Sequence, residues 1–421
     1  MGFTSQFFRD VLRIASGTTA GQLVSLLLSV LVTRLYTPEM FGSLEQFAML
    51  IGLFSVLACG KYEAAIMLPE KEEDGHALLR LSLALAVIVS LLLGLGLFFF
   101  REPVARALHN PAIGPWLWLA GPATFLLACK TALGFWFSRN KSFSAIGLSK
   151  FLFPASSEPT KLIAGTWGFG LSGLFAGIIT GHLLSSGFLL FRYFRLPRPP
   201  QPVEGLHRMK ELAKSYGDYP RYSVPGGLLN RLAQWLHVAL FGWLFGSDGL
   251  IILGFFALTR RVVMVPLNTF GAAFAQVYYQ HITQLRDGHY LYRSYRKMMV
   301  TFSLASLALI ALIQFIPDDA IGWVFGSRWA AATPYLKILI FWYSANFTVG
   351  SLAFMLHRIR KQKHILMLDS LHLVLITLAL LAAWFWNADL LTTTLCFVAG
   401  KVLYFAIQAT TTLSLLKRHT E

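Results

Sequence analysis

The sequence predicts an all-α fold, a polytopic membrane protein with twelve transmembrane helices in two six-helix bundles related by an axis along the membrane normal. Three observations predict it. Of 421 residues, 56% are hydrophobic and only 13% charged, about half the charge fraction of ordinary soluble domains. Apolar runs recur along the whole chain, each long enough to cross a hydrocarbon core of roughly 30 Å as a helix. Finally, "DGHALLR" at Asp74–Arg80 returns as "DGHYLYR" at Asp287–Arg293, half a chain later. Such a recurrence is the mark of a duplicated unit, and an even number of spans per unit gives both copies the same orientation.

The predicted spans are 11–33, 41–60, 78–100, 113–137, 144–166, 171–194, 221–246, 250–280, 296–316, 331–356, 365–386 and 390–415. They divide into a six-helix lobe at 1–194, a cytoplasmic linker at 195–219 and a second lobe at 220–421. Span 1 carries Thr18, Gln22, Ser25, Ser29 and Thr33 at helical spacing, a polar stripe through an apolar helix. Pro122, Pro154, Pro159 and Pro225 are expected to bend their helices. In span 6, Gly173, Gly177 and Gly181 form a ridge that lets helix backbones approach closely. The linker opens on prolines. Its second part sets Leu206, Met209, Leu212 and Ala213 against Arg208, Lys210 and Lys214, the pattern of an amphipathic helix on the membrane surface. Span 7 carries Asn230, Gln234 and His237 on one face beside Arg231. In span 8, Arg261, Asn268 and Gln276 share a face, Arg260 flanks it, and Pro266 should kink the helix. Thr394, Lys401, Tyr404 and Gln408 share a face of span 12.

Cation asymmetry orients the chain. With the N-terminus inside, the inner segments carry 24 Lys and Arg, and the outer ones only Arg34, Arg101, Arg106 and Arg328. Both termini are therefore expected in the cytoplasm. No cleavable signal pattern is visible at the N-terminus. Trp116, Trp118, Trp167, Trp243, Trp323, Trp329, Trp384 and Trp386 fall at predicted outer ends, as an interfacial belt should. Cys59, Cys129 and Cys396 lie inside apolar runs with no disulfide or metal spacing. The net charge of +16 thus reflects membrane topology, and nucleic acid is not an expected partner.

Some cations remain inside the spans. Arg231, Arg260, Arg261 and Lys401 lie nine to twelve residues from their span ends, which is roughly 13–18 Å deep at helical rise. Cations at the midplane require water or an anion beside them. They are the candidate anion site. Gln22, Ser25, Ser29, Asn230, Gln234, His237, Asn268 and Gln276 are the candidate polar lining of a central cavity. Glu158 is the candidate for ion coupling, with pairing to Lys161 or Lys150 as its alternative role; Glu45 and Asp369 are weaker ones.

No enzyme chemistry emerges. "GFGLSG" at Gly168–Gly173 fits a dinucleotide fingerprint, but it opens a membrane span and follows no strand. No Walker A or HExxH pattern is present, the histidines are scattered, and the predicted outer loops are short. No catalytic residue, metal or cofactor is expected; a proton or sodium gradient is the candidate energy source.

"LVTRLYTPEMFG" at Leu31–Gly42 and "KYEAAIMLPE" at Lys61–Glu70 resemble the start of bacterial polysaccharide-biosynthesis flippases, the O-antigen flippase family of the multidrug/oligosaccharidyl-lipid/polysaccharide exporter superfamily. "AAFAQVYYQHI" at Ala272–Ile282 and "FGSRWAAATPYLKIL" at Phe325–Leu339 resemble second-half stretches of the same family. The resemblance implies a bacterial inner-membrane flippase that moves an undecaprenyl-diphosphate-linked oligosaccharide to the outer leaflet by alternating access. Its partners would be that lipid, membrane lipids and polysaccharide polymerase machinery. On this reading Arg260, Arg261, Arg231 and Lys401 meet the diphosphate through charge-assisted hydrogen bonds. Two other readings stand beside it: a drug or small-molecule antiporter of the same superfamily, which should have an acidic cavity, and a membrane glycan polymerase or ligase, which needs catalytic groups on the outer face.

Overall fold

A computed structural model describes residues 5–195, 205–283, 288–359 and 361–418. Among the described residues there is no strand. Nine segments of the described residues are long and apolar enough to cross a membrane. One of them, Tyr219–Ala272, has 54 residues, far more than the ~20 that one crossing needs. Helices α1 (Ser5–Leu35), α2 (Pro38–Ala58), α3 (Glu72–Phe99), α4 (Ala120–Arg139), α5 (Phe143–Thr166) and α6 (Leu171–Phe194) follow in sequence. The linker forms α7 (Leu206–Ser215). Then come α8 (Val224–Thr259), α9 (Val265–Thr283), α10 (Gly288–Gln314), α11 (Ala332–Ala345), α12 (Gln362–Phe385) and α13 (Leu390–Arg418). Val87, Ile88, Leu91, Leu92 and Leu95 of α3 are all exposed, a continuous apolar face that water would not tolerate and lipid does.

Packing gathers the chain into two compact units, one of Leu27–Leu250 and one of Met1–Leu26 with Ile251–Glu421. The chain passes from one unit to the other within α1 and within α8. In the second unit, Gln22 of α1 donates to the Thr269 hydroxyl of α9. In the first, the start of α8 leans on α2: Trp235 lies against Gly52, and the Gln46 amide against Gly242. Helix α8 is broken at Gly246, whose φ of 56° is non-helical. That break falls between predicted spans 7 and 8, and only glycine adopts such a backbone without strain.

Within the first unit, the span-6 ridge packs as its spacing predicts. A Cβ at Gly173 would sit 2.7 Å from that of Ala164, and one at Gly181 would sit 2.9 Å from the Phe153 ring, both on α5. Pro154 and Pro159 lie within α5, which runs through both as one helix. The linker helix α7 packs part of its apolar side on protein: Leu212 is buried in the core made by Leu78, Trp136 and Leu189, with Met209 and Ala213 packed beside it, while Leu206 is exposed. Arg208 clamps Asp74 at the start of α3 through two 2.8 Å bonds, and the Tyr62 hydroxyl donates to the Ala213 carbonyl. The repeated DGH motif therefore has a structural task in its first copy. Asp287 of the second copy lies outside the described residues.

The second unit is held by aromatic packing. Phe256 stacks on Phe397 at 5.8 Å, Trp342 meets Phe397 edge-on at 5.3 Å, and Phe302 stacks on Phe347 at 4.9 Å. Trp329 belongs to this core. It is fully buried against Phe255, so it is removed from the predicted interfacial belt. Trp118, Trp167, Trp243, Trp323, Trp384 and Trp386 are exposed as expected.

Candidate functional site

The arginine pair of span 8 sits where the helix widens. Residues Arg260–Met264 form a π turn, with the Val265 N–H bonded to the Arg260 carbonyl five residues back. Pro266 explains part of this. It has no N–H to give the Val262 carbonyl, and the widened turn just before it changes the register of the remaining bonds. Such single π turns are frequent at functional sites. Arg260 and Arg261 are both half-buried and engaged with the protein.

Two turns along, the same helix presents amides. Exposed Asn268 accepts a 2.8 Å bond from Asn346, and its neighbour Thr269 accepts from Gln22. Asn346 opens a second π turn, Asn346–Gly350. Thus α1, α9 and the end of α11 each contribute a polar group to one locus of the second unit. Exposed amides within apolar spans would be costly against lipid, so they belong on a wet surface. Ser25 is half-buried on the same face of α1 as Gln22. The Gln276 side chain is outside the described residues.

In the first unit, α8 carries a matching strip. Asn230, Arg231 and Gln234 are all exposed. Gln234 donates to the Asn230 side chain at 2.7 Å, and Arg231 donates to the Gln234 side-chain oxygen Oε1 at 3.4 Å. This orients the guanidinium along the strip and leaves most of its donors facing outward.

Other residues of the predicted lining are packed away. Ser29 and Thr33 are fully buried, with the Thr33 hydroxyl bonded to the Ser29 carbonyl; satisfying its own helix is the usual use of threonine in an apolar span. His237 is also buried. Glu158 and Lys161, each 3% exposed, form a 3.0 Å ion pair on successive turns of α5, which is the structural alternative raised by their spacing. Lys401 is 2% exposed. Its ammonium lies 3.0 Å from His372 Nε2 and over the rings of Trp342 and Phe397, so it is enclosed by packing within the second unit. His372, Asn346 and Thr269 were not singled out from sequence. The signal for His372 was present, as an imidazole three residues after Asp369 in an otherwise apolar span. Among the described residues no group of His, Cys, Asp and Glu is arranged to hold a metal.

The sequence profile of polysaccharide biosynthesis proteins matches residues 31–334. The chain belongs to that family. It is 24% identical over 174 residues to the teichuronic acid biosynthesis protein TuaB of Bacillus subtilis (strain 168), an alignment covering 41% of this chain and 35% of TuaB. The match thus spans about a third of that relative's length. Among solved structures, the fold is similar to the inward-closed lipid II flippase MurJ, with a TM-score of 0.74, 11% identity and 97% and 90% of the two chains covered. It is likewise similar to an inward-facing multidrug resistance MATE transporter of the MOP superfamily, with a TM-score of 0.71, 16% identity and 95% and 96% covered. At these identities the likeness concerns fold. It establishes a multi-pass, all-helical membrane protein with the architecture of these transporters.

Proposed function

We propose that this protein is a twelve-helix flippase of the bacterial inner membrane that moves an undecaprenyl-diphosphate-linked oligosaccharide from the cytoplasmic to the outer leaflet by alternating access. The observation that carries the reading is the arginine pair set in a widened, proline-bounded turn deep within an apolar helix, on the same helix as an amide cluster. A lipid diphosphate is an anion that has to cross the midplane. Guanidinium groups bind such oxygens through paired hydrogen bonds, and a low dielectric strengthens them. The amides of Asn268, Asn346 and Gln22 offer the donors and acceptors that sugar hydroxyls need. Family membership supports a polysaccharide precursor as cargo. A polymerase acting on the flipped product is the expected partner.

The MATE-like fold favours a second reading, a small-molecule antiporter. An exporter of cationic drugs needs unneutralised carboxylates in its spans, and Glu158 is already paired with Lys161. The test is a competition in vesicles carrying the protein. Transport of a fluorescent undecaprenyl-diphosphate oligosaccharide, unaffected by cationic dyes, supports the flippase. Transport of the dyes alone supports the antiporter.

A further inference from the structure

We propose that Lys401 and His372 form a one-proton site in the second unit that couples inward proton movement to outward transport. The inference rests on the transport reading above but concerns its energy source. The geometry is specific. Lys401 Nζ and His372 Nε2 are 3.0 Å apart across α13 and α12. Two basic groups at that distance do not both hold a proton in a buried site, because like charges so close repel strongly. Together they hold one proton, shared along the Nζ–Nε2 line, or none.

The surroundings suit that pair of states. The Lys401 ammonium lies 4.9 Å over the Trp342 ring and 5.4 Å over Phe397, cation–π contacts that favour the charged form. Among the described residues no carboxylate is ion-paired with Lys401 to fix the charge permanently, in contrast to Lys161 on Glu158. His372 is stacked on Tyr404 at 4.0 Å and 17°, which holds the imidazole plane. Of the elements packed on α13, α12 brings His372 and, toward Tyr404, Asp369; α11 brings Trp342; and α10 brings Tyr295, further along near Thr412. With the proton bound, Lys401 ties α13 to both α12 and α11. With it released, the cation–π contacts vanish and the three helices are free to repack. One proton taken up from the outer side and released inward changes the pair's charge by one and restores it.

The locus recurs in the first unit. Lys401 is the twelfth residue of α13, His372 the eleventh of α12 and Trp342 the eleventh of α11; His182, Phe153 and Lys130 hold those places in α6, α5 and α4. There too an ammonium, an imidazole and an aromatic ring meet, with Lys130 5.0 Å over Phe153 and Phe153 4.7 Å from His182. The order of residue types is permuted, so phenylalanine separates the two basic groups and no proton is shared. Lys130 is thus a built-in control.

The experiment compares transport rates in vesicles with and without an imposed pH gradient, acid on the outer face, with the membrane potential clamped. Wild type and Lys130→Met should show a several-fold higher rate with the gradient. In His372→Gln and Lys401→Met the ratio should fall to about one. A gradient response retained by both pair variants, or absent from wild type, overturns the proposal while leaving the flippase reading intact. If wild type or a pair variant moves no substrate, tryptophan emission of the detergent-solubilised protein decides. A pH-dependent transition that is lost in both Trp342→Phe and Lys401→Met supports the site, and its absence from wild type refutes it.

Discussion

Replacing Glu158 or Lys161 separates a structural carboxylate from a coupling one. Both side chains are 3% exposed and meet at 3.0 Å. At an effective dielectric of ~20 their attraction is about 5–6 kcal/mol, which offsets the cost of taking both charges out of water. Removing one partner leaves the other buried and uncompensated, a loss of about 3–5 kcal/mol. Lys161→Met and Glu158→Gln should each lower stability by that amount, read as a shift in the denaturant midpoint of the purified protein. The double variant should lose far less than the sum of the singles, since it leaves no lone charge and keeps most of the volume packed against Gly177 and the Tyr36 hydroxyl, which donates to the Lys161 carbonyl. Additive losses, or a Glu158→Gln protein of wild-type stability that no longer responds to an ion gradient, would refute the structural assignment.

Three further outcomes follow from the packing. Gly121→Ala places a Cβ 2.7 Å from the Gly94 Cα and the Ser90 carbonyl oxygen across α3 and α4, and should cost about 1–3 kcal/mol in thermal unfolding of the solubilised protein. Asp74→Asn weakens the Arg208 clamp, and amide hydrogen exchange across Leu206–Ser215 should speed up several-fold while exchange in α5 and α6 stays unchanged. Arg208 hydrogen bonding also holds the Glu211 carboxyl below the usual carboxylate range. That contribution is present at neutral pH and lost as pH falls through the lowered value, so the protection of α7 amides, corrected for the intrinsic pH dependence of exchange, should hold through the neutral range and drop only in acid, below the ordinary glutamate range.

Much of this was legible in the sequence because hydrocarbon imposes so strong a constraint. Apolar length located the helices, the glycine ridge of α6 located its packing partner's close approach, and polar spacing located Asn230, Gln234 and Asn268. What spacing could not settle was which polar groups end in a cavity and which in a protein interior. Ser29 and Thr33 share a face with Gln22, yet the helix turns that face into packing part-way along. Spacing put Lys401 on a cavity face, but Trp342 and His372, from two other helices roughly 100–200 Å of extended chain away, join Phe397 of its own helix to enclose it. The linker helix shows the same limit: an amphipathic pattern reports that one side is covered, and Leu212 shows that part of the cover is protein.

Reconstituted translocation of a fluorescent undecaprenyl-diphosphate oligosaccharide by wild type and by Arg260→Ala/Arg261→Ala tests the central claim most directly. Wild type should transport, and a double variant that inserts and unfolds like wild type should lose at least about tenfold, the equivalent of 1.4 kcal/mol. Undiminished transport by that folded variant would contradict a diphosphate site at the widened turn of Arg260–Met264.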